Sequence, residues 1–340
     1  MCKLAIWLTI ALLSQLGVYI AAPEAADLVI TPFYTFNQSP MVQIFGLPAA
    51  ESAVIQQPGH CWSLLAADVA NDFARDVSSR ERVNLDGESY RLNLALRYGI
   101  AENLEIGLDL PWVGYSGGIL DGLIEGWHSF FGLSQGKRLE TPNDRLLFSY
   151  SRDGEERLHL DHASFGLGDL RLGGAWQLFQ SGSLPTRAVA LRASLKLPTG
   201  SSNKLHGSGS TDLALWLSGS DDYQFPVLPG HLTLYGAAGA MALTKGQVLE
   251  EQQNHLVGFG TLGLGWSPAQ WIALKTQMST NSPFYHGSNL QELGKYALQL
   301  VFGGTLGPSP RTALDIAVSE DIRVDTAPDF SIHLGASRQF

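Results

Sequence analysis

The chain has 340 residues, a net charge of −10, only 16% charged residues and 37 glycines. Its acidic balance excludes a nucleic-acid footprint, which needs clustered Lys and Arg. Its two cysteines are Cys2 and Cys61, and Cys2 falls in a leader, so neither an internal disulfide framework nor a cysteine metal site is available.

Lys3 precedes an apolar run from Leu4 to Ile20, and small residues follow at Ala21, Ala22, Ala25 and Ala26. A positive start, an apolar middle and a small-residue exit predict a secretory signal peptide over 1–26. Ser14, Gln15 and Gly17 weigh against a membrane anchor, which needs about twenty apolar residues. Residues 27–60 contain Pro32, Pro40, Pro48 and Pro58 and no membrane-length alternation. They are expected to form an extended segment, either a periplasmic tail or a plug in a lumen. The apolar patch Met41, Val42, Ile44, Phe45 and Leu47 favours the packed alternative.

From residue 61 onward the period becomes two. Tyr90, Leu92, Leu94, Leu96 and Tyr98 alternate with Arg91, Asn93, Ala95 and Arg97, and a polar turn leads to Ile106, Leu108, Leu110 and Trp112 alternating with Glu105, Gly107 and Asp109. Segments of about 9–11 residues with one apolar and one polar face are transmembrane β-strands. The pattern recurs with Leu170, Leu172, Trp176 and Leu178 against Asp169, Arg171 and Gln177. It recurs again with Leu191 and Leu195 against Arg192 and Lys196, and with Leu213, Leu215 and Leu217 against Asp212. Strands are predicted at 61–72, 88–98, 104–115, 168–179, 187–197, 211–219, 231–243, 255–266, 271–279, 293–304, 311–319 and 329–340. The fold class is therefore all-β, an antiparallel transmembrane β-barrel of about 12 strands over 61–340, an even number as in bacterial barrels.

The connections alternate between modest turns (99–103, 180–186, 220–230, 267–270 and 305–310) and mostly longer loops (73–87, 116–167 and 198–210). Short turns face the periplasm and long loops the exterior. The loop 116–167 carries Leu120, Leu123, Ile124, Trp127 and Phe131 at helical spacing, which predicts a short amphipathic helix. The chain closes with Phe330, Ile332, Leu334 and Ala336 alternating toward a terminal Phe340. That ending resembles the signal read by the outer-membrane barrel assembly machinery. The expected location is the cell outer membrane of a Gram-negative bacterium, with lipid as the surrounding partner.

Three stretches carry a family resemblance: Pro32-Phe33-Tyr34-Thr35-Phe36-Asn37-Gln38-Ser39-Pro40, the loop text from Asp121 through His128 to Gly132, and Glu320-Asp321 with Pro328-Asp329-Phe330. They resemble the DUF3187 family of uncharacterised proteobacterial proteins, over nearly all of the mature chain. Separately, Gly166-Leu167-Gly168-Asp169-Leu170 with Lys196-Leu197-Pro198-Thr199-Gly200 looks like the barrel family that includes MetA-pathway phenol-degradation proteins. That second resemblance implies movement of hydrophobic substrates. Neither implies catalytic residues.

Candidate chemistry lies in two places. On the alternation above, Arg91, Arg97, Glu105, Asp109, Asp169, Arg171, Arg192, Lys196, Asp212, Lys275 and Asp315 point into the lumen. Their mixed signs predict ion pairs bracing the barrel, because an ion-selective path is more simply lined by one sign. The second place is Tyr285-His286-Gly287-Ser288-Asn289, which resembles the His-x-Ser-Asn text of outer-membrane phospholipase A. A His two residues from a Ser is a base beside a nucleophile. Leu290 stands where that enzyme's pattern has Gly, and Leu300 where a residue orienting the His is expected. His159 and His162 flank Asp161 without a third ligand, so no metal and no cofactor is expected.

The sequence therefore predicts a channel or transporter for small molecules, hydrophobic ones included. A lipid hydrolase acting through His286 and Ser288 and a structural or surface-interaction barrel are the alternatives.

Overall fold

The computed structural model describes residues 28–118, 145–182, 186–323 and 327–340. The leader over 1–26 and the helix expected at 120–131 lie outside the described residues.

Alternation sets the strands. In β1 (Cys61–Val77), β2 (Glu81–Ala101) and β3 (Leu104–Ser116), alternate side chains turn inward over most of their length. Three short strands follow, β4 (Leu147–Arg152), β5 (Glu155–Leu160) and β6 (Ser164–Leu167). Then come β7 (Arg171–Ser181), β8 (Arg187–Lys196), β9 (Asp212–Tyr223), β10 (His231–Leu243), β11 (Leu256–Ala269) and β12 (Ile272–Asn281). The last are β13 (Ala297–Ser309), β14 (Thr312–Asp321) and β15 (Phe330–Gln339). Twelve of these, β1–β3 and β7–β15, close an antiparallel barrel, with β3 pairing β7 and β15 returning to β1. Trp62 lies opposite Gln339 and Asn71 opposite Phe330 at that seam. Closure leaves these strands no free edge in the membrane, where an unpaired backbone group costs several kcal/mol.

The twelve strands drawn from the sequence are all present. The turns at the end that carries Cys61 and Phe340, here the inner end, are shorter than expected. Two loops differ more. The expected loop 73–87 is strand apart from the connection 78–80, because Val83 and Leu85 continue the inward alternation and are buried. β1 and β2 pair as far as Val77 opposite Arg82. Asp86-Gly87 reads as a turn in sequence, yet the strand passes through Gly87 at φ 156. The long connection 116–167 is partly strand as well: β4 pairs the outer part of β2, and β5 completes that hairpin. β6 pairs the end of β3 beyond β7.

Outward faces form an apolar belt. Leu92, Ile106, Leu172, Leu213, Leu215, Leu217, Leu262, Leu274, Ile316 and Leu334 are each exposed by 41% or more. Soluble monomers rarely turn large apolar side chains outward on strand after strand, and hydrocarbon is the solvent such a belt fits. Tyr98, Trp176, Phe179, Trp271 and Phe340 are exposed toward the inner end, at headgroup level.

Candidate functional site

The lumen is not empty. Residues 28–60 run from the inner end toward the outer mouth and back. On the ascending limb Ile30 packs where Gly265 leaves room, since a methyl there would lie 2.4 Å from it. Lys275 donates to the Thr31 carbonyl at 2.9 Å and lies 3.9 Å from the centre of the Phe33 ring. The Phe33 amide donates to Gln277 at 3.0 Å, and Thr35 donates to Asp68 at 2.8 Å. His333 meets the same Asp68 oxygen at 2.8 Å.

The tip turns at 39–45, where the Val42 and Gln43 amides donate to the Ser39 carbonyl. It sits in an apolar seat built by outer loops. Phe45 stacks on Phe284 at 4.7 Å and meets Tyr285 edge-on at 5.8 Å. Tyr285 donates its hydroxyl to the Met41 carbonyl at 3.1 Å. Leu205, Met241, Leu249 and Leu293 belong to the same buried cluster.

The descending limb is held by charges. Gly46 donates its amide to Asp212 at 2.7 Å, and Arg171 donates to the Leu47 carbonyl at 2.9 Å. Glu51 accepts from Arg97 at 2.7 Å and from Arg192 at 3.1 Å. Arg192 also donates to the Ser52 carbonyl at 2.7 Å. Gln177 accepts from the Ile55 amide at 3.0 Å, and Glu105 from the Gln56 amide at 2.8 Å. At the base, the Gln57 carbonyl approaches β2 so closely that a methyl on Gly99 would lie 2.1 Å from it. Only glycine admits the segment there.

Between the two limbs and the inner rim of the wall is a cavity of about 370 Å³. Leu28, Val54, Ile55, Trp62 and Trp271 give it apolar surface, and Glu51, Arg97 and Arg192 give it charge. That volume and mixed lining suit a small amphipathic molecule.

The family model for DUF3187, described as a protein of unknown function, matches residues 9–340. The chain belongs to the DUF3187 family. No curated protein matches it in sequence. Among solved structures, it resembles the COG4313 outer membrane channel from Pseudomonas putida F1, with TM-score 0.53 and 11% identity over 84% of this chain and 97% of that one. A porin, KdgM, solved in complex with disordered oligogalacturonate has TM-score 0.41 and 8% identity, covering 82% and 99%. The first likeness concerns the fold: this DUF3187 protein folds as an outer-membrane β-barrel.

The lumen candidates fall into two groups in this DUF3187 barrel. Arg91, Arg97, Glu105, Arg171, Arg192, Lys196, Asp212 and Lys275 contact residues 28–60 directly, all of them buried. Asp109, Asp169 and Asp315 instead pair with Arg97, Lys196 and Lys275, at 2.9, 2.5 and 2.8 Å. The mixed signs therefore do more than brace the wall: cations and two of the acids, Glu105 and Asp212, reach the segment, and Asp109, Asp169 and Asp315 compensate cations that do so. Several contacts went unseen in the sequence. Gln277, Asp68 and His333 share the inward parity, so alternation could have found them, as it placed Gln177 on the polar face. Glu51, Tyr34 and Phe36 lie in a segment without period, and no pattern marks them.

The other candidates are not assembled. His286 is exposed in the outer loop, Ser288 accepts from the Leu290 amide at 3.2 Å, and no hydrogen bond joins the two side chains. Neither faces lipid, because Tyr285 and Leu290 on either side anchor the loop inward. His159 is held by Glu156 at 2.7 Å and Asp161 at 3.3 Å, and these carboxylates raise its pKa. Among the described residues no cluster fits a metal ion.

Proposed function

We propose that this protein is an outer-membrane channel for small molecules, amphipathic or hydrophobic ones included, held closed by its own N-terminal segment. The observation that carries this is the way residues 28–60 are held. Both ends of the segment lie at the inner mouth, and along the descending limb polar contacts to wall side chains dominate. Such contacts exchange for water at modest net cost, roughly 0.5–1.5 kcal/mol each and more where charged, so the segment can leave without unfolding the wall. The apolar seat of Phe45 at the outer mouth keeps the closed state dominant. The inner cavity is then a vestibule that already holds part of the path. The COG4313 protein that shares the fold is described as an outer membrane channel, which agrees with this role.

The test is solute flux into proteoliposomes for the full protein and for a variant lacking 28–56. Flux should rise many-fold in the variant. A folded variant that stays impermeable removes the channel and leaves a structural barrel. We also infer that residues 1–26 are removed on export and that Phe340, exposed at the inner rim, is the handle for barrel assembly.

A further inference from the structure

We propose that the solutes carried are small aromatic carboxylates, and that the N-terminal segment closes the lumen by imitating them. This rests on the channel role above.

Arg91 and Arg171 are 5% and 4% exposed, and neither forms an ion pair with a carboxylate among the described residues. The Arg91 side chain donates no hydrogen bond among the described residues, and the Nε of Arg171 is buried without a partner. Asp68 and Asp109 stand opposite Arg91 and Arg171 in the strand pairing and attract them at a distance, but their hydrogen bonds go to Thr35 and His333 and to Arg97. Buried charges left this way are costly, and native proteins keep them for a reason. Arg171 donates only to the Leu47 carbonyl of the segment, at 2.9 Å, and what the two cations share is one ring. Each guanidinium carbon lies 5.1 Å from the centre of Phe36, which puts the two within about 10 Å of each other. Attraction to the ring face offsets part of their desolvation, but supplies no acceptor for their N–H groups.

A second place on the segment repeats the chemistry with the anion present. Arg97 holds the Glu51 carboxylate at 2.7 Å and lies 5.9 Å from the centre of the Tyr34 ring. One arginine thus binds a carboxylate and an aromatic ring together, both belonging to the segment. When the segment leaves, Glu51, Tyr34 and Phe36 leave with it. The wall retains Arg91 and Arg171 without partners, with Phe284 and Tyr285 toward the outer mouth and Trp62 and Trp271 beside the inner cavity. An aryl carboxylate supplies what this surface lacks: a flat ring for the arginine and aromatic faces, and two oxygens for bidentate hydrogen bonds. A neutral aromatic supplies only the ring, and a small aliphatic acid only the oxygens.

The test uses benzoate, with benzyl alcohol and acetate as the ring-only and acid-only probes. Binding is measured calorimetrically to detergent-solubilised full-length protein whose folding is checked by heat-modifiable mobility. Because Phe36 competes for the site, Phe36→Ala should tighten benzoate binding about tenfold or more. Adding Arg91→Gln should abolish the gain, and neither control probe should respond. If Phe36→Ala does not fold, Phe36→Leu keeps an apolar side chain there and removes the ring. Benzoate binding that is indifferent to both residues, or equalled by benzyl alcohol, overturns the proposal. Flux separates it from the channel role. An Arg91-dependent benzoate site in a barrel that passes no solute keeps the site and refutes the channel. Flux that treats benzoate and benzyl alcohol alike, whatever stands at Arg91, keeps the channel and refutes the site.

Discussion

Glu51→Gln isolates the charge that ties the descending limb to the wall. The carboxylate accepts from Arg97 at 2.7 Å and from Arg192 at 3.1 Å, and its side chain is 12% exposed. Gln keeps the shape and one acceptor but removes the charge. A hydrogen bond with a charged partner is worth roughly 1.5–3 kcal/mol, and a charge-assisted bond is about twice as strong as a neutral one. Over two bonds the closed state should lose about 2–3 kcal/mol, and each 1.4 kcal/mol is tenfold. The open fraction should therefore rise about thirtyfold to a hundredfold. Single-channel recording in planar bilayers reads this directly as open probability. Asp109→Asn is the contrast, because it removes a wall-to-wall pair from the same Arg97 and leaves Glu51 in place. Open probability that stays at the parent value in a folded Glu51→Gln barrel, or rises equally in Asp109→Asn, refutes the reasoning.

Three further outcomes are expected. Leu94→Arg puts a charge on the lipid face of β2 and should cost roughly 2–4 kcal/mol near the midplane, whereas Asn93→Arg faces the lumen and should cost less. Folding into bilayers across a denaturant series measures both, and equal penalties contradict the assignment of faces. Gly99→Ala drives a methyl against the Gln57 carbonyl, and overpacking of this kind costs roughly 1–3 kcal/mol. It should lower the temperature of heat modifiability and raise open probability together, and a variant unchanged in both means the segment does not lie there. Removing Phe340 should reduce the amount of folded barrel in outer-membrane fractions without altering export. Undiminished insertion contradicts its role in assembly.

Alternation made the wall legible, since a period of two with leucine on one face and charge on the other, repeated in membrane-length segments joined by short turns on one side, fits a wall between lipid and a polar lumen. The strands from Tyr90 to Trp112 and the inward set from Arg91 to Asp315 followed from parity alone. What parity could not reveal was what the inward charges meet. Residues 28–60 adopt no regular element, so their contacts follow from matching individual carbonyls and amides to side chains far away in sequence, as with Leu47 and Arg171. Gly99, Gly265 and Gly46 read as ordinary strand or turn glycines, although each marks where the segment meets the wall. The hairpin beyond Asn71 fell in the expected loop 73–87, although Val83 and Leu85 carry the inward alternation through it.

The most direct test of the gating claim is a reversible lock. A Cβ placed on Gly46 would lie 3.0 Å from that of Asp212, slightly inside the roughly 3.5–4.5 Å of a relaxed disulfide. In a Cys61→Ser background, Gly46→Cys with Asp212→Cys should therefore cross-link the start of the descending limb to β9 after a small adjustment. Planar-bilayer recording of the oxidised protein, its cross-link verified by mass, should show no openings. Reduction should restore them, above the parent level because the Gly46–Asp212 bond is gone. Equal current in the oxidised and reduced states, or none in either, would contradict a channel closed by its N-terminal segment.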